Sequence, residues 1–311
     1  MTHLIFWRMM QLPAILGVIF LVTFLLVWVV PGNPLEAPEG QRPPPEIAAA
    51  MQRQYNLHSP TAFAQSYLSD LLLRGDFGPS LQYRDQRVND ILADGLAVSA
   101  SLGVLAMIIA IFLGSAAGII GALRPGSALD FSSLAIALIG ISLPAFVTGS
   151  ILLVGFVAIV LALPPGTIDP NLDQLMTRWI LPAITLGVAP AAYIARLVRL
   201  GLADVMSSDF IRTARAKGLS QRQALFKHAL KVAYLPVLSF LGPAAAAVMT
   251  GSFVVEEVFN IPGIGEHFVN AVRNKDQFLI LGVVLVYSVI LVVFNLMVDV
   301  AYVWLDPRIE L

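Results

Sequence analysis

The sequence LAVSASLGVLAMIIAIFLGSAAGIIGAL, at residues 96–123, contains no Asp, Glu, Lys or Arg. A helix needs about 20 consecutive apolar residues to cross the hydrocarbon core of a bilayer. This stretch exceeds that length, so it predicts a membrane-spanning helix. Its Gly114-Ser-Ala-Ala-Gly118 segment has the spacing of small residues that lets two helices approach closely, and we interpret it as a packing surface.

Five further stretches without charged residues approach or exceed the same length. They are residues 9–30, 131–163, 179–195, 232–255 and 278–298. The composition agrees, because 58% of the 311 residues are hydrophobic, 13% are charged and the mean hydropathy is +0.81, whereas soluble domains carry roughly 25% charged residues. The sequence therefore predicts an all-α integral membrane protein with six transmembrane helices.

Three of these stretches are irregular. The first follows Arg8 near the N-terminus, but it is longer than the apolar region of a signal peptide and ends in Val-Val-Pro-Gly, so we expect it to be retained as a span. Residues 131–163 are too many for one untilted helix and include Pro144, which predicts a kink or an emergent end. Residues 179–195 are few, and we expect Arg196 and Arg199 to snorkel to the interface and lengthen this span.

The distribution of Lys and Arg around the short loops predicts the orientation. Residues 196–231 contain eight basic and two acidic side chains, 8 − 2 = +6, which places this segment in the cytosol. With six spans, both termini and the turn at 124–130 lie on the same side. Residues 31–95 contain five Arg and eight Asp or Glu, 5 − 8 = −3, which predicts an external insertion. Within it, residues 46–73 are typical of one or two short surface helices.

The six stretches contain no acidic side chain, no basic side chain and no histidine. Proton and cation pathways require such groups within the membrane. The chain also has no Gly-Lys dipeptide, and hence no phosphate-binding loop of the Walker A type. If the protein transports a solute uphill, the energy must come from another chain. The absence of cysteine excludes a disulfide framework and thiolate chemistry.

The most structured part of the basic loop is SSDFIRTARAKGLSQRQALFKH, residues 207–228. Ser208 or Asp209 is suited to N-cap a helix that continues through Lys217, and Gly218 is suited to the left-handed position that ends it. Ser220 with Gln223 has the spacing of a capping box for a second helix. The segment predicts a helix, a tight turn and another helix.

One face of the first predicted helix is apolar and the others are basic. Phe210 and Ala214 share a face at i and i+4, while Arg212 and Arg215 lie elsewhere. A small apolar knob ringed by positive charge suits a protein-docking surface. The alternative is that the loop is basic only because membrane insertion requires it.

The segment Arg212-Thr-Ala-Arg-Ala-Lys-Gly218-Leu-Ser resembles the Glu-Ala-Ala-xxx-Gly loop of permease subunits in binding-protein-dependent ABC importers, in the form used by the oligopeptide, dipeptide and nickel permease family. Further matches cover nearly the whole chain: Gly75-Asp-Phe-Gly78-Pro-Ser80, Leu235-Pro236, Glu257-Val-Phe-Asn-Ile-Pro262-Gly-Ile-Gly265 and Asp306-Pro-Arg308. Arg212 and Thr213 replace the Glu-Ala of the general pattern. Leu235-Pro236 lies further along the chain from Gly218 than in sugar or phosphate permeases. Both departures resemble the peptide branch, and the chain is similar to the first of that family's two permease subunits.

The resemblance implies a type I permease fold, one permease domain over residues 1–311, an external insertion at 31–95 and a cytosolic coupling loop at 203–231. It implies that the loop is a coupling helix seated in an ATPase subunit. The residues that would carry this coupling are Phe210, Arg212, Thr213, Ala214, Arg215, Ala216, Lys217, Gly218, Leu219 and Ser220. The residues that would face a substrate-binding protein, or serve a structural role, are Gly75, Asp76, Gly78, Glu257, Pro262, Gly263 and Gly265.

The resemblance also implies partners in a bacterial inner membrane. These are a second homologous permease, two cytosolic ATPase subunits that bind ATP and Mg²⁺, and a periplasmic or lipid-anchored binding protein, with no cofactor or metal in this chain. The implied substrate is an oligopeptide or dipeptide, with nickel, glutathione or another small solute as alternatives. A passive channel or a membrane-embedded enzyme is the rival from another class, but an enzyme would need convergent titratable groups, and His3, His58, His228 and His267 are scattered along the chain.

Overall fold

The computed structural model describes residues 2–30, 35, 45–83, 86–164, 167, 169–250 and 252–305. These residues form α-helices and two short π-helical segments, at Met176–Ile180 and Leu225–Ala229, and no strand beyond an isolated bridge between Pro79 and Arg87. The α-helices are α1 Thr2–Val29, α2 Pro45–Gln54, α3 Pro60–Arg74, α4 Val88–Leu123, α5 Ala128–Ser142, α6 Ala145–Ala162, α7 Pro170–Leu175, α8 Leu181–Met206, α9 Asp209–Ala216, α10 Gln221–Ala224, α11 Leu230–Ala233, α12 Leu235–Met249, α13 Phe253–Phe259, α14 Ile264–Asn274 and α15 Gln277–Leu305.

Among the described residues, five helical segments are long and apolar enough to cross a membrane. They are Met10–Val29, Val88–Leu123, Ala145–Ala162, Pro170–Met206 and Gln277–Ala301. Two consecutive helical segments, Gln221–Ala233 and Leu235–Met249, meet at an angle of 52° and pass the same criterion together. Counted as one bent span, this pair gives six, and the predicted all-helical membrane fold is confirmed.

The long apolar stretch at 131–163 is two helices, α5 and α6, and the predicted irregularity lies at Pro144. Leu143, the residue before the proline, has extended backbone angles, φ −80° and ψ 127°. The ring of a proline disfavours helical geometry at the preceding residue, which accounts for the break. Both helices pack against α8.

The span at 96–123 begins earlier than predicted. Helix α4 starts at Val88, so residues 88–95 belong to the span helix and not to an insertion loop. Val88 and Leu92 are buried, and they pack close to Gly282 of α15, where an added Cβ would lie 2.8 Å from Val88 Cγ1. The predicted end of the insertion at residue 95 therefore lies within α4, where Val88 and Leu92 are buried and Asp90 and Asp94 are exposed.

The chain folds as two compact units. One comprises residues 1–99 and 262–293, and the other comprises residues 100–261 and 294–311. In the first unit, an aromatic cluster joins α1, α3 and α15; its members are Phe20, Phe24, Phe63, Tyr67 and Phe278. The predicted short helices of the insertion are confirmed as α2 and α3. However, α3 is not purely a surface helix, because the side chains of Phe63 and Tyr67 are fully buried.

In the second unit, α4 and α8 approach closely along a line of small residues. A Cβ added to Gly118 would lie 2.6 Å from the Ala195 backbone oxygen and 2.7 Å from Val198 Cβ. Gly114 makes the same kind of approach one turn earlier, against Ala191 and Ile194. The interpretation of Gly114 and Gly118 as packing residues is confirmed.

We predict that Gly118→Val destabilises the protein, because the new side chain collides with the backbone of α8, and overpacking typically costs about 1–3 kcal/mol. The measurement is the thermal unfolding midpoint of the purified protein in detergent. Gly155→Val is the matched control, since nothing lies within 4 Å of a Cβ added at Gly155 of α6. Equal midpoints for the two variants would contradict the packing role.

Candidate functional site: a basic helix–turn–helix

The basic loop forms the predicted helix–turn–helix. Helix α8 ends at Met206, α9 follows as Asp209–Ala216, and a turn at Gly218 leads into a helical stretch from Gln221 to Ala233 that contains a π-helical turn. Helix α9 ends one residue before the predicted Lys217, which occupies the C-cap position. Such a difference lies within the fraying of helix ends.

Ser208 occupies the N-cap position of α9 but does not cap it with its side chain. Its Oγ donates to the Val205 carbonyl oxygen at 2.6 Å, and so ties the start of α9 to the last turn of α8. Asp209 is the first residue of the helix, and its carboxylate accepts a hydrogen bond from Arg212 at 3.4 Å. The predicted N-cap position of Ser208 is confirmed, but its hydroxyl bonds to a backbone carbonyl of the preceding helix and not to a backbone N–H of α9.

Gly218 ends α9 in the left-handed conformation, as predicted, with φ +94°. Its N–H donates to the Arg215 carbonyl oxygen at 2.9 Å, and the Leu219 N–H donates to that of Ala214 at 3.3 Å. Nothing lies within 4 Å of a Cβ added at Gly218, so the backbone angle and not a lack of space favours glycine there.

The predicted capping box is confirmed. Ser220 Oγ accepts from the Gln223 backbone N–H at 3.3 Å, and Gln223 Oε1 accepts from the Ser220 N–H at 2.9 Å. The turn is therefore fixed on both sides by local hydrogen bonds.

The inner face of the helix–turn–helix packs onto α8. Ile211 is fully buried in a cluster that includes Leu202 of α8 and Leu225 of the second helical stretch. This contact holds α9 and the segment after the turn to the end of α8 as one packed element.

The outer face is basic with two exposed aromatic rings. Phe210 is 47% exposed and Phe226 is 59% exposed. The other predicted residues divide by exposure: Arg212, Thr213, Arg215, Ala216, Lys217, Gly218 and Ser220 are exposed, whereas Ala214 and Leu219 are half-buried. The sequence analysis did not single out Phe226. Its exposure could have been predicted, because Leu225 and Ala229 occupy the inner face of the helix and Phe226 then lies on the outer face.

An ion pair joins α5 to α8. Arg199 Nε donates to Asp130 Oδ1 at 2.8 Å, and Arg199 Nη2 donates to Asp130 Oδ2 at 2.8 Å. The Gly126 N–H donates to Oδ2 at 2.9 Å, so the carboxylate is bonded through both oxygens. Asp130 is buried and Arg199 is largely covered. This bidentate partner holds Arg199, whereas Arg196 is exposed; the extension of the two side chains to the interface stays a prediction.

We predict that Asp130→Asn and Arg199→Met each lower the thermal unfolding midpoint, because each leaves a covered charge without its partner. The double variant should unfold at a higher temperature than either single variant, since replacing both partners removes the uncompensated charge. Melting curves of the wild type and the three variants measure this coupling. If the decrease in the midpoint of the double variant equals the sum of the decreases in the two single variants, the two residues do not act as a unit.

The Gly75–Ser80 segment in the first unit is anchored by its own chain. Gly75 ends α3 with φ +64°, and the Asp76 carboxylate accepts from the Gly78 N–H at 3.0 Å. Gly78 has φ +89°, and a Cβ there would lie 2.4 Å from the Phe278 ring. The motif residues Gly75, Asp76 and Gly78 therefore have a structural role.

Asp276, which sequence reasoning missed, completes this anchor. Its buried carboxylate accepts from Ser80 Oγ at 2.6 Å and from the backbone N–H groups of Leu81, Gln82 and Leu279 at 2.8, 3.2 and 3.1 Å. Burial raises the pKa of Asp276 above its ordinary value, and the four hydrogen bonds oppose that shift. The carboxylate ties the segment to the start of α15.

The Glu257–Gly265 segment is a turn between two helices. Asn260 ends α13 with φ +51°, and α14 begins at Ile264. Glu257 and Pro262 are exposed, whereas Gly263 and Gly265 are buried. The segment therefore connects two helices through a left-handed residue and a short turn.

No group of three or more potential metal-binding side chains occurs in the part of the chain that the structure describes. His58 contacts the Gln52 carbonyl oxygen, and His267 contacts the Tyr83 hydroxyl at 3.1 Å. Burial lowers the pKa of His267. The side chain of His3, residues 31–34 and 36–44 and the Asp306-Pro-Arg308 motif lie outside the described residues.

The fold and the basic helix–turn–helix define the class, a multi-pass membrane protein. The crystal structure of an amino acid ABC transporter with histidines has the same fold, with a TM-score of 0.51 and 16% identity over 68% of this chain and 93% of that chain. The profile of the family described as "Binding-protein-dependent transport system inner membrane component" matches residues 110–311.

Full-length relatives agree with this family. The dipeptide transport system permease protein DppB of Bacillus subtilis is 38% identical and covers 98% of this chain and 96% of its own length. The oligopeptide transport system permease protein OppB of Escherichia coli K12 is 39% identical and covers 100% of both chains. The chain belongs to the binding-protein-dependent transport system inner membrane components, and it is a non-catalytic transport subunit.

Proposed function

We propose that this chain is a permease subunit of an ATP-driven, binding-protein-dependent importer of oligopeptides or dipeptides. The observation that carries the proposal is the helix–turn–helix at residues 207–233, which is rigidly packed on its inner face and basic and aromatic on its outer face. The names of the full-length relatives support the peptide substrate.

The proposed mechanism couples the loop to ATP hydrolysis in another subunit. The half-exposed ring of Phe210 enters an apolar cleft of an ATPase subunit, and Arg212, Arg215 and Lys217 pair with acidic side chains at its rim. ATP and Mg²⁺ bind to the ATPase subunits and not to this chain. Because Ile211 joins α9 to the core around α8, a displacement of the loop moves α8 with it, and the spans alternate between inward-open and outward-open states.

The proposed assembly places the two termini and the loop at 203–231 in the cytosol and residues 31–95 outside. Residues 1–311 act as one permease domain and pair with a second homologous permease. Exposed Glu257 and Pro262, together with the insertion, face a substrate-binding protein that largely sets selectivity. The six stretches without charged residues line part of a water-filled path for a solute that the binding protein delivers.

We predict that Gly218→Val abolishes substrate uptake while the complex still inserts and hydrolyses ATP. A β-branched side chain is strained at φ +94°, so the turn and the outer face of α9 are displaced. Uptake and ATPase activity are measured in proteoliposomes that contain the complete transporter. Gly218→Asn is the matched control, because asparagine tolerates left-handed geometry, and it should retain most uptake. Full uptake by the valine variant would contradict the proposed role.

We predict that proteoliposomes with the cognate binding protein accumulate labelled di- or oligopeptide only when ATP is enclosed with the ATPase subunits. Labelled nickel and glutathione are the competing substrates in the same assay. Accumulation of either one without peptide uptake would retain the importer and reject the peptide substrate. Flux that equilibrates without ATP would indicate a passive channel.

A further inference from the structure

We infer that Tyr234 is a positioning residue for the coupling of the helix–turn–helix to the spans. Its hydroxyl is hydrogen-bonded to Ser115 of α4, and this bond fixes the angle of the bend between α11 and α12. A displacement of the helix–turn–helix is then carried into α12 and is not absorbed at the bend. The inference rests on the proposed function, since it requires that a partner displaces the loop.

The bend divides one helical stretch into two arms. The loop arm, Gln221–Ala233, is the second part of the helix–turn–helix, and the span arm is Leu235–Met249; they meet at 52°. Leu225 and Ala229 of the loop arm are fully buried in the cluster that also contains Ile211 of α9. The loop arm and α9 therefore move together, and their motion reaches the span arm at the bend.

The backbone of the bend does little to fix its angle. The Tyr234 N–H donates to the Leu230 carbonyl oxygen at 3.0 Å, and the Tyr234 carbonyl oxygen accepts from the Leu238 N–H at 3.0 Å. Pro236 is the second residue of the span arm, and it has no N–H to donate to the Val232 carbonyl oxygen. Because the hydrogen bonds on both sides persist, the angle can change at small cost, and side-chain contacts must determine it.

Helix α4 supplies one of these contacts, the bond between Ser115 Oγ and the Tyr234 hydroxyl. A tyrosine hydroxyl among apolar side chains usually has such a partner, but here the partner is on another span and the tyrosine is at the bend. The residue before Ser115 is Gly114, which packs directly against the backbone of α8 at Ala191. The bond thus joins the bend to a closely packed pair of helices.

Helix α8 holds the residue on the other side of the peptide bond. A Cβ added to Gly201 would lie 2.8 Å from the Ala233 carbonyl oxygen, and the side chain of Ala233 is 1% exposed. Consecutive residues at the bend, Ala233 and Tyr234, therefore contact α8 and α4 respectively. This arrangement allows the two spans to set the angle between the arms.

The span arm is also packed on α4 and α8 beyond the bend. The ring of Phe240 stacks on that of Tyr193 of α8, with the centroids 4.5 Å apart. At the far end, a Cβ added to Gly103 of α4 would lie 2.6 Å from Met249 Cα. Met249 is 249 − 234 = 15 residues beyond Tyr234, about 22 Å along a helix. The span arm therefore contacts α4 at both ends, and Tyr234 makes the contact at the end near the loop.

The functional test removes one oxygen atom at a time. Tyr234→Phe and Ser115→Ala should each lower the ratio of peptide uptake to ATP hydrolysis several-fold in proteoliposomes that contain the complete transporter, while hydrolysis continues. The double variant should lose no more than either single variant, because all three lack the same hydrogen bond. Tyr193→Phe is the matched control for loss of a tyrosine hydroxyl, and it should keep the ratio of the wild type.

The absence of cysteine from the chain allows the bend to be measured directly. Gln221→Cys on the loop arm and Ala247→Cys on the span arm, both at exposed positions, carry nitroxide labels in the complete transporter with cysteine-free partner subunits. Two straight arms at 52° place these positions about 35 Å apart. Double electron–electron resonance should give one narrow distance distribution for this chain, and Tyr234→Phe should broaden it by several ångströms, whereas Tyr193→Phe should not.

An equally narrow distribution in the Tyr234→Phe chain would overturn the inference, because the hydrogen bond would then not fix the bend. An unchanged ratio of uptake to hydrolysis in that variant would also overturn it, while the proposed function would stand. The distance measurement needs neither peptide nor ATP. If the unsubstituted transporter takes up no peptide, the proposed function fails, and the distance distribution still decides whether Tyr234 fixes the bend.

Discussion

The constraint on which this structure depends is that a bilayer offers no hydrogen-bond partners to the peptide backbone. It explains the helical architecture and also the way in which the helices break. At Leu143–Pro144 the Leu143 N–H still donates to Ile139 at 3.0 Å, and the Pro144 carbonyl oxygen accepts from Val147 at 3.0 Å. At the bend between α11 and α12, Tyr234 and Leu238 are bonded in the same continuous manner. Direction changes therefore occur where few backbone groups lose their partners.

The same environment determines how the helices associate. Acyl chains are as apolar as leucine, so burying leucine side chains between helices provides no hydrophobic driving force. The close approach of α4 to α8 at Gly118 replaces that driving force with van der Waals contact. Directional bonds add to it at the ends of the helices, in the Asp130–Arg199 pair and in the bonds of Asp276 to the Ser80 segment. Each unit thus combines apolar packing with a buried carboxylate that joins elements distant in sequence.

The helix–turn–helix combines a packed inner face with an exposed outer face. Ile211 and Leu225 fix its inner face in the core around α8, while Phe210 and Phe226 remain available outside. The proposed coupling to an ATPase subunit requires both properties, because a loop that deforms on contact would transmit no displacement to the spans. Helix α3 shows the same division in the other unit, where Phe63 and Tyr67 are packed and Leu72 and Leu73 are exposed.

The sequence by itself determined the features that arise within a few residues of one another. The apolar runs, the left-handed turn at Gly218 and the Ser220–Gln223 capping box depend on local hydrophobicity, backbone geometry and hydrogen bonds between near neighbours, and they are where the sequence predicted them. Only the tertiary structure decided the start of α4 at Val88, the Asp130–Arg199 pair and the role of Asp276. Their partners lie 69 and 196 residues apart in the two polar pairs, and no local periodicity records which faces of two distant helices meet.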